Sequence, residues 1–195
     1  TIVVYMKVDQ IMIGQMLGDS QVGTYAAAVR LIEIWYVVPG IIAVSVFPAL
    51  TRAHASNTDN YYELLQNFFD LMVVVPTLVA VLVSIFSSQL LFVVYGMEYT
   101  EARSTLLIYA WCSIPVFLLV ATAQHLIITN ATRFAFVRNA GGMVVNIGLN
   151  FVLIPLWGIE GSAVASLIAY LCASIVANGL HVDMRRILTL EARAL

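Results

Sequence analysis

Six apolar stretches, each long enough to cross a bilayer and separated by short polar breaks, take up nearly all of the chain. A helix rises about 1.5 Å per residue, so a hydrocarbon core of about 30 Å needs roughly 20 mostly apolar residues. The candidate spans are residues 1–17, 25–50, 68–94, 104–128, 136–157 and 161–182, with a bend expected in the third near Ser87, Ser88 and Gln89. Only Gly158, Ile159 and Glu160 separate the last two, and residues 183–195 form a tail. Hydrophobic residues make up 62% of the chain and charged residues 10%, against roughly one quarter charged in a soluble domain. The predicted class is all-α: a polytopic membrane bundle of six helices.

The chain opens with Thr1 inside an apolar run, with no basic leader or cleavage site after it, which reads as a piece of a larger transporter. Basic residues are retained on the cytoplasmic side. Arg52, Arg133, Arg138, Arg185, Arg186 and Arg193 fall on one side of the alternating connections, and Arg103 alone on the other. This places the C-terminus in the cytoplasm. The connection from Thr51 to Asn67 is the one long loop expected, carrying an interfacial helix capped near Thr58 or Asp59. The tail, with Leu188, Leu190 and Leu195 among Arg and Glu, reads either as a helix along the membrane surface or as a solvated end.

Charges inside the spans are the sharpest functional signal, because an ionised group at the bilayer centre costs about 2.5–3.5 kcal/mol on insertion scales. Lys7, Asp9, Arg30 and Glu33 all qualify. Lys7, Asp9, Gln10 and Gly14 share an arc of roughly 160° on the first span, so that face meets a cavity or another helix. Arg30 and Glu33 are neighbours on the second span. They can pair with each other, or Glu33 can hold Arg30 for an anionic substrate. The alternative is an ionic staple between the first two spans.

On the fifth span Asn139, Asn146 and Asn150 project within about 40° of one another beside Gly142, either as interhelical glue or as the lining of a path. The sixth span carries two rows at four-residue spacing, Gly161, Ala165, Ala169, Ala173, Ala177 and Ser162, Ser166, Tyr170, Ser174, Asn178, which read as packing surfaces. Pro39 and Pro115 predict kinks in the second and fourth spans. Cys112 and Cys172 read as packing residues, and His54, His125 and His181 lack ligand-like spacing, so no metal or cofactor is expected. Enzyme motifs are missing: there is no Gly-x-Ser-x-Gly elbow and no phosphate-binding glycine loop.

The run KVDQIMIGQMLGDSQVGTYAAAVRLIEIWYVVPGIIAVSVFPAL resembles the second half of the bacterial polysaccharide and O-antigen flippases of the MOP superfamily, relatives of the MATE exporters and lipid II flippases. LLFVVYGMEYTEA and RFAFVRNAGGMVVNIGLNFVLIPLWGIEGSAVASLIAYL are similar to that family's loop and hairpin motifs, with Asn146, Asn150, Pro155, Gly158 and Gly161 in matching places and Ser162 where Ala is usual. The resemblance implies one six-helix lobe of a two-lobed MATE-like transporter, the other lobe lying in the rest of the protein. It implies an undecaprenyl-pyrophosphate-linked oligosaccharide as cargo, moved across the inner membrane by alternating access with proton or sodium coupling. Lys7 and Arg30 would then meet the pyrophosphate, with Asp9 or Glu33 as a coupling carboxylate. Two competing readings are a multidrug exporter of the MATE type, which has less use for Lys7 and Arg30, and part of a polysaccharide polymerase or ligase, which needs a large external loop.

Overall fold

A computed structural model describes residues 2–56, 58–180 and 184–195, and within these the chain is helical, without strands. The helices are α1 (Ile2–Leu17), α2 (Asp19–Glu33), α3 (Val37–Ser56), α4 (Thr58–Tyr95), α5 (Arg103–Trp111), α6 (Ser113–Ile128), α7 (Thr132–Leu171), α8 (Ala177–Leu180) and α9 (Arg185–Ala194). A 3₁₀ turn at Ile34–Tyr36 joins α2 to α3, another at Met97–Ala102 leads into α5, and a π-helical turn at Cys172–Val176 joins α7 to α8. The unit formed by α5 and α6 sits in the middle, touching α2, α3, α4 and α7, while α1 closes the bundle between α2 and α7.

By length and composition 4 stretches can cross a membrane, namely Asp19–Ser56, Thr58–Tyr95, Met97–Ile128 and Thr132–Gly179. The difference from the six expected spans has two sources. Helix α1 has 16 residues, and the last two expected spans form one stretch of 48. That stretch contains a turn: Gly158 has φ 60 and ψ −138, outside the helical region, and a Cβ added to Gly161 would collide with the backbone carbonyl of Leu153. Two arms of α7 therefore fold back on each other, close enough that Asn146 reaches Ser166. Large apolar side chains stand on the outside, among them Val44, Leu78, Ile85, Val93, Val144 and Phe151. A surface of this kind suits lipid and would aggregate in water. The chain is a multi-pass membrane protein.

Buried side chains form two cores. One gathers Ile13, Tyr25, Ile32, Leu106, Tyr109 and Ile154 towards the Gly18 and Gly96 turns. The other gathers Leu50, Phe69, Met72, Phe117, Leu126 and Ile187 at the opposite end. Partly buried Tyr36 packs against both. The two expected kinks lie at this waist: α2 gives way to α3 just before Pro39, and α5 to α6 at Cys112, three residues before Pro115. Proline removes a donor and crowds the preceding turn, so the helix breaks on its N-terminal side.

Other expectations are corrected. Helix α4 runs through Ser87, Ser88 and Gln89 without a break. The hydroxyls of Ser84 and Ser87 donate to carbonyls of their own helix, Ala80 and Ser84, and Ser87 Oγ also accepts from Arg103 Nε at 3.2 Å. The connection from Thr51 to Asn67 is not a loop: α3 continues to Ser56, and the helix expected to start near Thr58 does start there but runs on unbroken as α4. The polar residues there lie on helix, and Tyr61 and Leu65 are buried. Arg138, counted among the loop residues, is buried within α7 and donates to the Leu119 carbonyl at 3.3 Å. His181 lies outside the described residues.

The described part of the tail is not a frayed end but a helix, α9, packed on the bundle. Met184, Ile187 and Leu190 recur at helical spacing and are buried, and α9 packs against α4. Gln66 donates to the Leu190 carbonyl at 3.2 Å, and the Arg186 guanidinium lies 3.5 Å from the centre of the Tyr62 ring. Glu191 is fully buried, with Thr122 Oγ1 and Asn178 Nδ2 each 2.8 Å from its Oε1. Burial pushes its carboxyl up to about 7, a rise that the Asn178 and Thr122 donors and the nearby Arg138 charge only partly offset.

Two tests follow from these contacts. Gly161→Ala should lower stability by at least about 1–3 kcal/mol, because a rigid backbone blocks the new methyl group. At Gly148 a Cβ meets nothing within 4 Å, so Gly148→Ala should be neutral or mildly stabilising; thermal aggregation midpoints in detergent compare the two. For Glu191, a carboxyl raised in the folded state contributes docking stability that is complete below its ordinary value of 4.5 and lost as pH rises through about 7. Labelling of a cysteine placed at Ile187, corrected for thiolate content, should therefore increase between pH 5.5 and 8, roughly over this titration. Glu191→Gln should flatten the profile.

Candidate functional site

Asp9 sits in the middle of α1 and is 5% exposed. A carboxylate so enclosed must find donors, and it finds them on two other helices. The Tyr25 hydroxyl of α2 donates to Oδ2 at 2.8 Å, and the Ser166 hydroxyl of α7 donates to the same oxygen at 2.9 Å. Ser166 Oγ in turn accepts from Asn146 Nδ2 at 3.2 Å, and Asn146 Oδ1 accepts from Asn150 Nδ2 at 3.0 Å. The chain Tyr25–Asp9–Ser166–Asn146–Asn150 thus ties α1, α2 and both arms of α7 together. The Tyr25 ring packs edge-on to Tyr109 of α5, with centroids 6.3 Å apart, which holds its hydroxyl toward Asp9.

Of the residues singled out in the sequence, Asp9, Asn146 and Asn150 meet in this network, while Lys7 and Glu33 form a separate pair. Lys7 Nζ lies 3.5 Å from Glu33 Oε2, with the side chains 42% and 20% exposed, so the pair links α1 to α2 at a half-open position. Glu33 therefore does not pair with Arg30. Asn139 stands apart from its two partners in the stripe, exposed near the start of α7.

Arg30 is exposed and, among the described residues, has neither an ion pair nor a hydrogen bond. It lies on a cleft of about 390 Å³ that follows one face of α2 through Asp19, Gly23 and Ala26, with Gln10 on one side and Tyr95 and Tyr99 on the other. Asp19 and Arg30 are 11 positions apart, about 16 Å along the helix. Among the described residues no group of His, Cys, Asp or Glu has the arrangement of a metal site.

Tyr25 and Ser166 were not recognisable as Asp9 partners. Ser166 belongs to the visible polar row of the sixth expected span, but its partner lies 157 residues earlier. Tyr25 carries no motif.

Removing the carboxylate tests the network. Asp9→Ala leaves the Tyr25 and Ser166 hydroxyls without their acceptor, each such loss costing about 1–3 kcal/mol, whereas Asp9→Asn keeps the shape and one acceptor oxygen. Asp9→Ala should sharply lower abundance in membranes, measured by quantitative immunoblot, and Asp9→Asn should lower it less. Equal abundance of Asp9→Ala and wild type would refute a structural share for this network.

A sequence model described as MatE matches residues 1–152. A protein of Haloferax volcanii named probable low-salt glycan biosynthesis flippase Agl15 is 29% identical over 169 residues, which cover 85% of this chain and 35% of that protein. The chain thus spans about a third of the length of this curated relative. No solved structure gives a significant match. With three quarters of its length under the family model and an all-helical membrane fold to go with it, the chain belongs to the MatE family.

Proposed function

We propose that this chain forms part of a membrane flippase that carries a polyprenyl-pyrophosphate-linked oligosaccharide across the cell's inner membrane, as a transporter and not as an enzyme. The observation that carries the reading is Arg30: an exposed cation, unpaired among the described residues, 11 residues inside the stretch Asp19–Ser56, on a cleft with polar and aromatic walls. Facing lipid, such a group would be costly, so it belongs in a water-filled passage where an anion can meet it. A pyrophosphate fits, since guanidinium binds its oxygens with charge-assisted hydrogen bonds. The name of the Haloferax volcanii relative, a glycan biosynthesis flippase, supports the same substrate class. Undecaprenyl as the carrier rests on the resemblance to the bacterial flippases.

In this reading the helices form one lobe, the longer protein supplies the facing lobe, and the tail helix α9 lies on the cytoplasmic side. Alternating access opens the passage to each side in turn, and Asp9 is the proposed coupling carboxylate for a proton or sodium ion. Lys7 keeps Glu33 in place. A drug exporter with cationic cargo is the competing reading; the free Arg30 in the cleft weighs against it.

Substitutions in the full-length protein separate the roles. Arg30→Ala should reduce glycan export at least about tenfold, the worth of a hydrogen bond to a charged group, with membrane abundance near normal and Arg30→Lys partly active. Lys7→Ala should reduce abundance by leaving Glu33 without its partner, and the added change Glu33→Ala should restore it. Normal export by Arg30→Ala, or loss of abundance matching the loss of export, would remove the substrate-binding role; export of organic cations with no glycan defect would favour the drug exporter.

A further inference from the structure

The geometry points to a sugar-binding subsite in the cleft along α2, formed by Tyr95, Tyr99, Asp19 and Gln10, which would hold the glycan rings of a lipid-linked oligosaccharide whose pyrophosphate lies at Arg30. This rests on the flippase reading and adds to it a place where the protein recognises the sugar itself.

The cleft has the features that a pyranose ring demands. Its volume of about 390 Å³ falls in the range of small-ligand pockets. The rings of Tyr95 and Tyr99 stand 5.3 Å apart and are tilted 43° to each other, both partly exposed, so they present aromatic surface to the cleft. Aromatic faces carry partial negative charge, and the C–H face of a sugar ring supplies the complementary positive edge. The opposite wall and the far end are polar. Exposed Asp19 can accept from two vicinal hydroxyls, and Gln10 lines the cleft with an amide whose nitrogen is buried and has no hydrogen-bond partner among the described residues, so a turn of its side chain would bring that donor to the sugar. The floor is small: Gly23 and Ala26 leave the face of α2 open for a flat ring.

Charge is divided along the cleft in a way that suits such a cargo. The cation Arg30 lies at one end and the anion Asp19 at the other, about 16 Å away along α2, so a phosphate is drawn to the first and repelled from the second. Neutral, hydroxyl-rich rings attached to the phosphate would extend toward Asp19 and the tyrosines. The basic-residue count assigns that end to the outside of the cell, so the subsite engages the sugar once it faces outward.

Gly23 provides a clean probe, because a Cβ there meets nothing within 4 Å and a larger side chain fills the cleft without disturbing the core. Affinity of the full-length protein in nanodiscs would be measured for lipid-linked oligosaccharides extracted from the host cells and, separately, for polyprenyl pyrophosphate without sugar. Wild type should bind the glycan-bearing lipid roughly tenfold more tightly, through a few aromatic and hydrogen-bond contacts to the sugar. Gly23→Leu and Tyr99→Ala should abolish that difference and leave the affinity for the sugar-free carrier unchanged, while Tyr99→Phe retains most of it and Arg30→Ala weakens both lipids. Equal wild-type affinity for the two lipids would overturn the subsite, as would variants that discriminate like wild type or that lose both lipids together. Failure of wild type to bind either lipid would instead overturn the flippase reading, and the subsite with it.

Discussion

A carboxylate placed among membrane helices has to be satisfied from within the protein, and much of this bundle's arrangement follows from how Asp9 achieves that. Water is absent from the hydrocarbon region, so every donor to Asp9 must come from a neighbouring helix. Tyr25 and Ser166 supply two, and Ser166 passes the requirement on to Asn146 and Asn150. Lipid tails are as apolar as leucine, so apolar burial alone gives helices little reason to associate in one register. A polar chain that joins α1, α2 and both arms of α7 does. It fixes α1, which is too short to be secured by many apolar contacts of its own, against both α2 and the α7 hairpin.

The small residues have a matching role. Asn146 can reach Ser166 only if the two arms of α7 lie close together, which the turn at Gly158 and the close approach at Gly161 permit. Ala165, Ala169 and Ala173 continue the buried small surface along the second arm. Further along the molecule the proline-associated breaks at Ile34–Tyr36 and Cys112 divide two helical units where one apolar core gives way to the other. Kinks stacked at one level provide a place where the two ends can shift relative to each other while each core stays packed. That arrangement suits alternating access, whose physical requirement is two rigid packing units joined by a limited number of deformable points.

Local features of the sequence translated well into structure, and long-range ones did not. Apolar length marked the membrane class, the prolines marked both breaks, and the four-residue rows marked the buried face of the second α7 arm. Polar residues misled only in part where helix continues past the apolar segment: a helix start near Thr58 was legible, but its place at the membrane surface was not, since successive turns bury Tyr61 and Leu65 inside the protein. Arg138 and Glu191 misled for a different reason. Each is unremarkable in its own stretch, and only the docking of α9 brings Glu191 to Thr122, 69 residues away, and to Asn178. Periodicity reports which face of a helix is apolar and is silent about which helices meet.

The charges in the first two spans show the same division and carry the functional argument furthest. From spacing alone, Arg30 and Glu33 are neighbours and either could hold the other. In the structure Glu33 takes Lys7 of α1, and this leaves Arg30, one turn earlier on α2, open to the cleft. One turn of helix thus separates a charge used for packing from a charge kept open. The pair neutralises itself and asks nothing of the surroundings, whereas Arg30 imposes a condition on them. Either water and anions reach it or another part of the protein faces it with negative charge, because lipid cannot. In the proposed flippase, a passage between two lobes would meet that condition through water when empty and through the phosphate of the cargo when loaded.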